Sequence, residues 1–397
     1  MQARRGIAVG GLVFPNRGAV FLALCADITE QGAEFFLLTD IVTPLLDWYD
    51  RAARDLPWRR TRDPYAIWLS EIMCQQTRVQ AAIEYYHRFL SELPTVEALA
   101  TVSEERLLKL WEGLGYYSRA RNLQKAARVM CERHAGRVPG SFEELLALPG
   151  VGEYTAGAIG SIAFGLRVPC VDGNVLRVIT RITADEREID RGNTRADITH
   201  EVAKLIPADR PGDFNQALME LGATVCLPNG EPLCAQCPLA SLCSGKQRGN
   251  ALTLPRKAPK KERRVEERTV FLLYRAGQVA LHKRPDSGLL AGMWEFPSVE
   301  GTLNAQQGTA WLRSLGLDAP CLVAGANSKH IFSHVEWHMT CLEGEASMLQ
   351  KAVEADVAWF GHSRLEQEAA LASAYRTYKK HVLKKLAAPD KNNTPPQ

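Results

Sequence analysis

No apolar run in this chain of 397 residues approaches the roughly 20 residues that a membrane-crossing helix requires, so no transmembrane helix is expected. A charge excess is also missing. Its 48 basic and 45 acidic residues leave +3, which neither demands nor excludes a polyanionic partner, and the distribution of charge has to carry that argument. The ten cysteines lack the dispersal of a disulfide framework. Cys226, Cys234, Cys237 and Cys243 fall within 18 residues, whereas Cys25, Cys74, Cys131, Cys170, Cys321 and Cys341 are scattered, mostly in apolar runs. That usage argues against a secreted scaffold and for a reduced, intracellular protein of the cytoplasm or nucleoid with one metal cluster. A well-formed secretory signal is lacking too: Arg4-Arg5 and apolar Ala19–Ala26 resemble one superficially, but Pro15, Asn16 and Arg17 interrupt it. Residues 1–42 are expected to be an atypical extension or the result of a misplaced start, with a targeting segment or an added strand pair as alternatives.

What is present divides by periodicity. From Thr43 to about Ala240, apolar residues recur at helical spacing, as in Leu45/Leu46/Trp48/Tyr49 and Leu107/Leu108/Leu110/Trp111, punctuated by short proline breaks. The stretch Ser244–Arg264 then carries eight Lys/Arg against the single acid Glu262, which suits a linker more than a core. Beyond it the period shortens. Thr269–Arg275 and Gln278–Arg284 flank the Ala276-Gly277 turn as a β-hairpin, Ile331–Leu342 and Val357–Phe360 read as strands, and Ala305–Leu315 and Leu365–Leu386 as helices. This C-terminal part is α+β, and the tail Pro389–Gln397 is expected to be disordered.

Between two helical segments, Phe142–Leu148 and Thr155–Phe164, stands the bare turn Pro149-Gly150-Val151-Gly152. Glycines there permit positive φ and leave N–H groups uncovered at a helix start, which suits a phosphate oxygen; an ordinary helix–helix turn is the alternative. Asp172 follows twenty residues later in Val168-Pro-Cys-Val-Asp172-Gly-Asn174. It is either a turn or cap residue or a carboxylate held near a sugar. The combination resembles the helix-hairpin-helix DNA glycosylase superfamily, in which an aspartate follows the hairpin in this manner.

A further run narrows the resemblance. Asp63-Pro64 reads as a helix start, and the helix it opens carries Glu71 one turn from Trp68 and Gln75, amid Ile67, Leu69, Ile72 and Met73. A carboxyl in such surroundings tends to stay protonated, as a general acid must; an exposed helical glutamate is the alternative. The order Glu71-x-x-x-Gln75-Gln76-Thr77 closely resembles the MutY family of adenine-specific mismatch glycosylases, and Trp111-Glu-Gly-Leu-Gly-Tyr116-Tyr-Ser-Arg resembles that family's strand-probing loop. The resemblance implies that Tyr116 is the wedge that enters the base stack, and that Gln76, Arg59, Gly150, Val151 and Gly152 contact DNA.

The cysteine cluster runs Cys226-x7-Cys234-x2-Cys237-x5-Cys243. Four thiolates so close suit Zn²⁺ or a [4Fe–4S] cluster, and only one Cys-x-x-Cys knuckle is present where a zinc ribbon usually has two. The family resemblance implies the [4Fe–4S] cluster, although the first gap is one residue longer than the family's. Leu289–Pro297 resembles the Nudix-like domain attached to these glycosylases. The paired glutamates that a Nudix box needs for Mg²⁺ are lacking, since Glu300 is the only acid between Pro297 and Leu317, and pyrophosphohydrolase activity is not expected. Phe332-Ser333-His334 matches the family triplet that reads 8-oxoguanine. On a β-strand it would show Phe332 and His334 on one face and Ser333 on the other.

The expected architecture is therefore multidomain. An all-α helix-hairpin-helix glycosylase core with a [4Fe–4S] loop spans 43–245, with a six-helix barrel at about 66–166 and an iron–sulfur subdomain from 43–65 and 167–245. A basic linker at 246–267 leads to an α+β Nudix-like domain over 268–388. By resemblance, Glu71 protonates the adenine, Asp172 stabilises the sugar cation, and Tyr154 and Asn174 assist. The implied partner is double-stranded DNA with A:8-oxoguanine or A:G, bound by a monomer. An endonuclease III-like lyase would carry lysine where Tyr154 stands, and a catalytically silent DNA-binding module would lack one of the two carboxylates.

Overall fold

A computed structural model describes residues 38–259, 262–348 and 357–387; the expectations for residues 1–37 and for the tail from Pro389 lie outside them. A 3-10 turn, Leu38–Ile41, opens the described chain, and Ile41 is fully buried, so packing begins before residue 43. An aliphatic side chain closing the end of the first helix's apolar stripe accounts for that shift.

The helices are α1 Val42–Ala52, α2 Pro64–Cys74, α3 Val79–Glu92, α4 Val96–Thr101, α5 Glu104–Leu110, α6 Ser118–Arg133, α7 Phe142–Leu146, α8 Glu153–Phe164, α9 Gly173–Thr183, α10 Gly192–Leu205, α11 Pro211–Thr224 and the short α12 Ser244–Gln247. Their starts follow from sequence chemistry. Asp63, Thr95, Ser103 and Ser141 each accept a backbone N–H at a helix entrance, and Pro64 occupies a first-turn position that needs no donor. Two apolar clusters make two lobes. One gathers Trp68, Phe89, Trp111, Leu123, Met130 and Leu145, and the other Leu45, Val175, Ile179, Val202, Phe214 and Leu218. At their junction, Ile67, Ala158, Ile162 and Cys170 form a small cluster against which Tyr154 and Met219 pack.

Helix α8 is bare for a reason. A Cβ added at Gly157 would stand 2.0 Å from the Pro169 carbonyl oxygen, so the segment leading to Asp172 lies directly on the helix that carries Tyr154. Gly157→Ala has backbone, not a flexible side chain, as its obstacle. It is expected to destabilise the fold by about 1–3 kcal/mol, seen as a lower Tm; an unchanged Tm would show that this segment moves aside freely.

The basic stretch is only partly a linker. Leu254 is buried, Ile189 N–H donates to the Arg256 carbonyl at 3.0 Å, and Ala258 N–H donates to Asp190 at 3.0 Å. One aliphatic anchor and these backbone partners pin the stretch to the helical region despite its composition.

The C-terminal domain comprises β1 Arg264–Arg275, β2 Gln278–Lys283, β3 Trp294–Glu295, β4 Ser298–Glu300, α13 Ala305–Ser314, β5 Leu317–Asp318, β6 Val323–Ala324, β7 Ser328–Ile331, β8 Val335–Glu345, β9 Ser347–Met348, β10 Val357–Phe360, α14 His362–Gln367 and α15 Arg376–Leu386. Its main sheet runs β10-β2-β1-β8-β6, with the central pair β1/β8 parallel and the β1–β2 hairpin turning at Ala276 and Gly277, both at positive φ. Period-2 alternation sends Val270, Leu272 and Tyr274 to one face, with Trp337 and Tyr375. Phe271 and Leu273 go to the other, with Leu312 of α13. Two expectations differ here. The run Leu365–Leu386 is not one helix: Ala369–Ala372 are buried as irregular chain, followed by a 3-10 turn, Ser373–Tyr375, before α15. Nor is Ile331–Leu342 one strand. The β7–β8 hairpin turns at Phe332–His334, closed by Phe332 N–H on the Val335 carbonyl at 2.8 Å.

Candidate active site

Asp63 and Pro64 set the start of α2, and eleven residues of helix bring Glu71 to its last turn, at a cavity of about 200 Å³ between the two helical lobes. Trp58, Arg59, Tyr154, Asp172, Met219 and Glu220 are among its walls. The Tyr154 hydroxyl donates to Glu71 Oε2 at 2.9 Å and also approaches Met219 Sδ at 3.4 Å. Burial pushes the Glu71 carboxyl up to about 7, and the charge of Asp172 adds to the rise; the Tyr154 hydrogen bond and Arg59 oppose both without cancelling them. Burial also raises the Tyr154 hydroxyl well above its ordinary value, which keeps it a neutral donor.

Asp172 caps α9. Its Oδ1 accepts the backbone N–H groups of Asn174 and Val175, each at 2.8 Å, and its Oδ2 accepts from Asn174 Nδ2 at 2.7 Å. Asp172 is thus a cap held by three donors, and it also faces the cavity that holds Glu71. Asn174 is positioned in turn. Arg177 Nη2 donates to its Oδ1 at 2.9 Å and to the Gly222 carbonyl at 2.7 Å, while Arg177 Nε donates to the Cys226 carbonyl at 2.8 Å. Gly222 has no space for a Cβ, which would meet Asn174 Cβ at 2.6 Å.

A second glutamate in the same cavity behaves oppositely. Glu220 has a fully buried side chain, and Arg54 and Arg59 clasp both its oxygens at 2.7–2.8 Å. Burial pushes its carboxyl up, but these guanidinium bonds outweigh burial and hold it near 2. One cavity therefore contains a carboxyl poised to give a proton and a carboxylate fixed as an acceptor, an acid–base division set entirely by neighbours. Arg59, expected at the DNA surface, is placed in this wall by its Glu220 bond and by Nη1 donating to the Arg54 carbonyl at 2.9 Å.

All but Val151 of the remaining residues expected to contact DNA line a broad cleft that adjoins the cavity. Gln76, Tyr116, Gly150, Gly152, Asp172 and Arg195 are among its residues. Gly150 sits at φ +76°, where an added Cβ would strike Asn122 Cβ at 2.6 Å; Gly152 precedes α8 with no side chain covering the helix start. Val151 differs from the expectation: its side chain is buried and its N–H is committed to the Leu148 carbonyl at 3.1 Å. Anion-binding capacity therefore rests on Gly152 and the first turn of α8. Gln76 and Tyr116 both hold left-handed backbone, at φ +54° and +48°. One residue braces both loops: Arg119 Nη1 donates to the carbonyls of Ile72, Met73 and Gln75, and its Nη2 to those of Leu114 and Gly115.

Across from Tyr116, the C-terminal domain presents the β7–β8 turn. The Tyr116 and Ser333 hydroxyls lie 3.3 Å apart, and Phe332, Ser333 and His334 line a second cleft with Leu290 and Arg121, which shares Tyr116 with the first. The turn overturns the expected alternation. Phe332 packs inward against Trp337 at 4.9 Å between ring centroids, while Ser333 and His334 are both exposed.

The four clustered cysteines rim one cavity with Arg181, whose Nη1 donates to Cys226 Sγ at 3.3 Å. Four thiols around one cavity are a donor set that fits either a [4Fe–4S] cluster or Zn²⁺. The long first gap is accommodated as a closed loop. Leu233 N–H donates to the Val225 carbonyl at 2.9 Å, which returns the chain to Cys234 beside Cys226, and Gly230 takes positive φ at the bend.

Sequence reasoning missed Glu220, Arg54, Arg119 and Arg177. An acid amid the apolar residues in the second half of α11 was the one available signal for Glu220; the arginines carry none, since each has a partner remote in sequence, Glu220 for Arg54, Ile72 for Arg119 and Gly222 for Arg177.

Residues 69–207 match the HhH-GPD superfamily of base excision DNA repair proteins, and residues 269–381 match the NUDIX domain. Among curated relatives, the human "Adenine DNA glycosylase" is 40% identical over 352 residues, covering 74% of this chain and 64% of the human protein. The rat protein of the same name is 37% identical over 404 residues, covering 85% of this chain and 77% of that protein. The mouse protein is 41% identical over 354 residues, covering 74% and 68%.

Proposed function

The chain belongs to the adenine DNA glycosylase family, and from that premise we propose that it removes adenine mispaired with 8-oxoguanine or guanine by hydrolysing the N-glycosidic bond. The observation that carries this reading is the pair Glu71 and Asp172, facing one cavity in opposite chemical settings.

To reach that cavity the adenine leaves the stack, at an unstacking cost of roughly a few kcal/mol. Glu71, half protonated near neutrality, donates its proton to N7, and Tyr154 fixes the other carboxyl oxygen so that the acidic O–H is aimed. Protonated adenine departs, and positive charge develops on the sugar. Asp172 supplies the compensating negative charge from a position that Asn174, Val175 and, behind Asn174, Arg177 hold in place. Water completes the hydrolysis. Tyr154 stands where an endonuclease III-like enzyme would carry a lysine, so the reaction stops at the abasic site.

Duplex DNA is the partner in this reading, gripped by the start of α8 and probed by Tyr116, with Ser333 and His334 reading the base opposite the adenine and Phe332 anchoring their turn on Trp337. Cys226, Cys234, Cys237 and Cys243 would hold a [4Fe–4S] cluster, which supplies a rigid loop beside α9. A reducing intracellular compartment and a monomeric state belong to the same proposal.

Purified protein incubated with an A:8-oxoguanine duplex should yield strand breaks only after alkali, and should give no borohydride-trapped adduct with abasic DNA. Efficient trapping would point to the lyase instead, and retained adenine would refute the reading.

A further inference from the structure

The segment between α5 and α6, which carries Tyr116, is gripped from two sides. Within the helical region, the Tyr85 hydroxyl donates to the Glu112 carbonyl at 2.7 Å, and Arg119 holds the Leu114 and Gly115 carbonyls. The grip from the C-terminal domain falls on the Glu112 side chain. Oε1 accepts from Lys379 Nζ of α15 at 2.5 Å and from the Leu371 N–H at 3.3 Å; Oε2 accepts from Lys109 Nζ at 2.7 Å. Lys109 also donates to the Ala369 carbonyl at 3.1 Å. The side chains of Lys109, Glu112 and Lys379 are only 12%, 20% and 18% exposed. Two ammonium groups thus share one carboxylate in a seam with little water, and burial lowers the Lys109 pKa there.

The Arg121 guanidinium of α6 also donates to the Ala291 carbonyl, and the seam differs from the exposed ion pair that joins the two regions. Lys283–Glu105 is exposed, with side chains 40% and 62% accessible, and contributes little once screened. Glu112 lies in the same short loop as Tyr116, whose hydroxyl meets Ser333 across the cleft. The cavity of Glu71 and Asp172, by contrast, is lined wholly by residues of the helical region. Reading the base opposite the adenine requires Tyr116 and the β7–β8 turn in register at once; breaking the glycosidic bond requires neither seam nor turn.

We propose that Glu112 is a positioning residue that registers the Tyr116 loop against the C-terminal domain, so that discrimination between partner bases depends on it and bond cleavage does not. The inference rests on the adenine glycosylase reading and deepens it.

The test uses the full chain, with adenine release measured in single turnovers on A:8-oxoguanine and A:G duplexes, at saturating and subsaturating enzyme. Glu112→Gln leaves Lys109 and Lys379 facing each other without a counter-charge. Its preference for the 8-oxoguanine duplex at subsaturating enzyme should fall roughly tenfold, with the saturating rate unchanged. Lys379→Met keeps the neutral Lys109–Glu112 pair and should lose less. Adding Lys379→Met to Glu112→Gln removes the repulsion and should recover part of the preference, a sign that simple loss of packing does not produce. A folded Glu112→Gln protein with wild-type preference, or one that loses equally on both duplexes, overturns the proposal. Should that variant not fold, Lys379→Met decides alone: an unchanged preference overturns the proposal as well. Absence of adenine release by the wild type would instead strike the activity reading.

Discussion

Glu71→Gln is expected to slow adenine release by roughly 10²–10⁴-fold while leaving affinity for the mispaired duplex close to wild type. Glutamine keeps an oxygen to accept the Tyr154 hydroxyl, so geometry survives and only the transferable proton is lost. Single-turnover release followed by alkali measures the first quantity, and a gel-shift titration the second. The wild-type rate should fall as pH rises through about 7, because the ionised form has no proton to give. Stability moves in the same direction. The folded-state value lies above the ordinary 4.5, so the native protein binds more protons than the unfolded chain between 4.5 and about 7. That contribution is complete below 4.5 and is lost as pH rises to about 7 and beyond. Glu71→Gln should flatten this slope and be more stable than wild type at alkaline pH, measured by urea melts at both ends of the window. An identical slope in the variant would remove Glu71 as its source.

The second large effect concerns Asp172. Asp172→Asn withdraws the negative charge and turns an amide group toward the Asn174 side-chain amide, where Asp172 Oδ2 now accepts at 2.7 Å. Release should slow by roughly 10²–10³-fold, with DNA affinity retained, because Gly152 and the start of α8 are untouched. Asp172→Ala should show the same rate loss and also forfeit the cap on α9, a further loss of about 1 kcal/mol in stability. The pair of variants separates the two roles. If Asp172→Asn released adenine at nearly the wild-type rate while Asp172→Ala melted early, Asp172 would be a cap and nothing more.

These two carboxylates were legible in the sequence because each announces itself locally. Glu71 sits on a helix whose start is written by Asp63-Pro64, with apolar neighbours one turn away. Asp172 and the glycine turn lie twenty residues apart around one helix. The β-hairpin at Ala276-Gly277 was equally plain, since two adjacent left-handed residues demand that turn. Phe332–His334 was misread for the converse reason. No glycine, proline or asparagine marks the turn, so the run from Ile331 to Leu342 reads as one uninterrupted strand. Arg59 came from the family resemblance alone; its bond to Glu220, remote in sequence, is what sets it in the cavity wall.

Chemistry carried by short spacings, namely caps, helix faces, paired glycines and the cysteine cluster, is specified by the chain's own order, because those interactions close within a few residues. The opposite states of Glu71 and Glu220, the bracing of two strained loops by Arg119, and the Lys109–Glu112–Lys379 seam are decided only when distant segments meet. Their energies come from desolvation and charge pairing, and both depend on what packs against a group rather than on what precedes it. Glu71 and Glu220 are the same residue type, each in the second half of an apolar helix; only folding, which brings Tyr154 to one and two arginines to the other, makes the first an acid and the second a fixed anion.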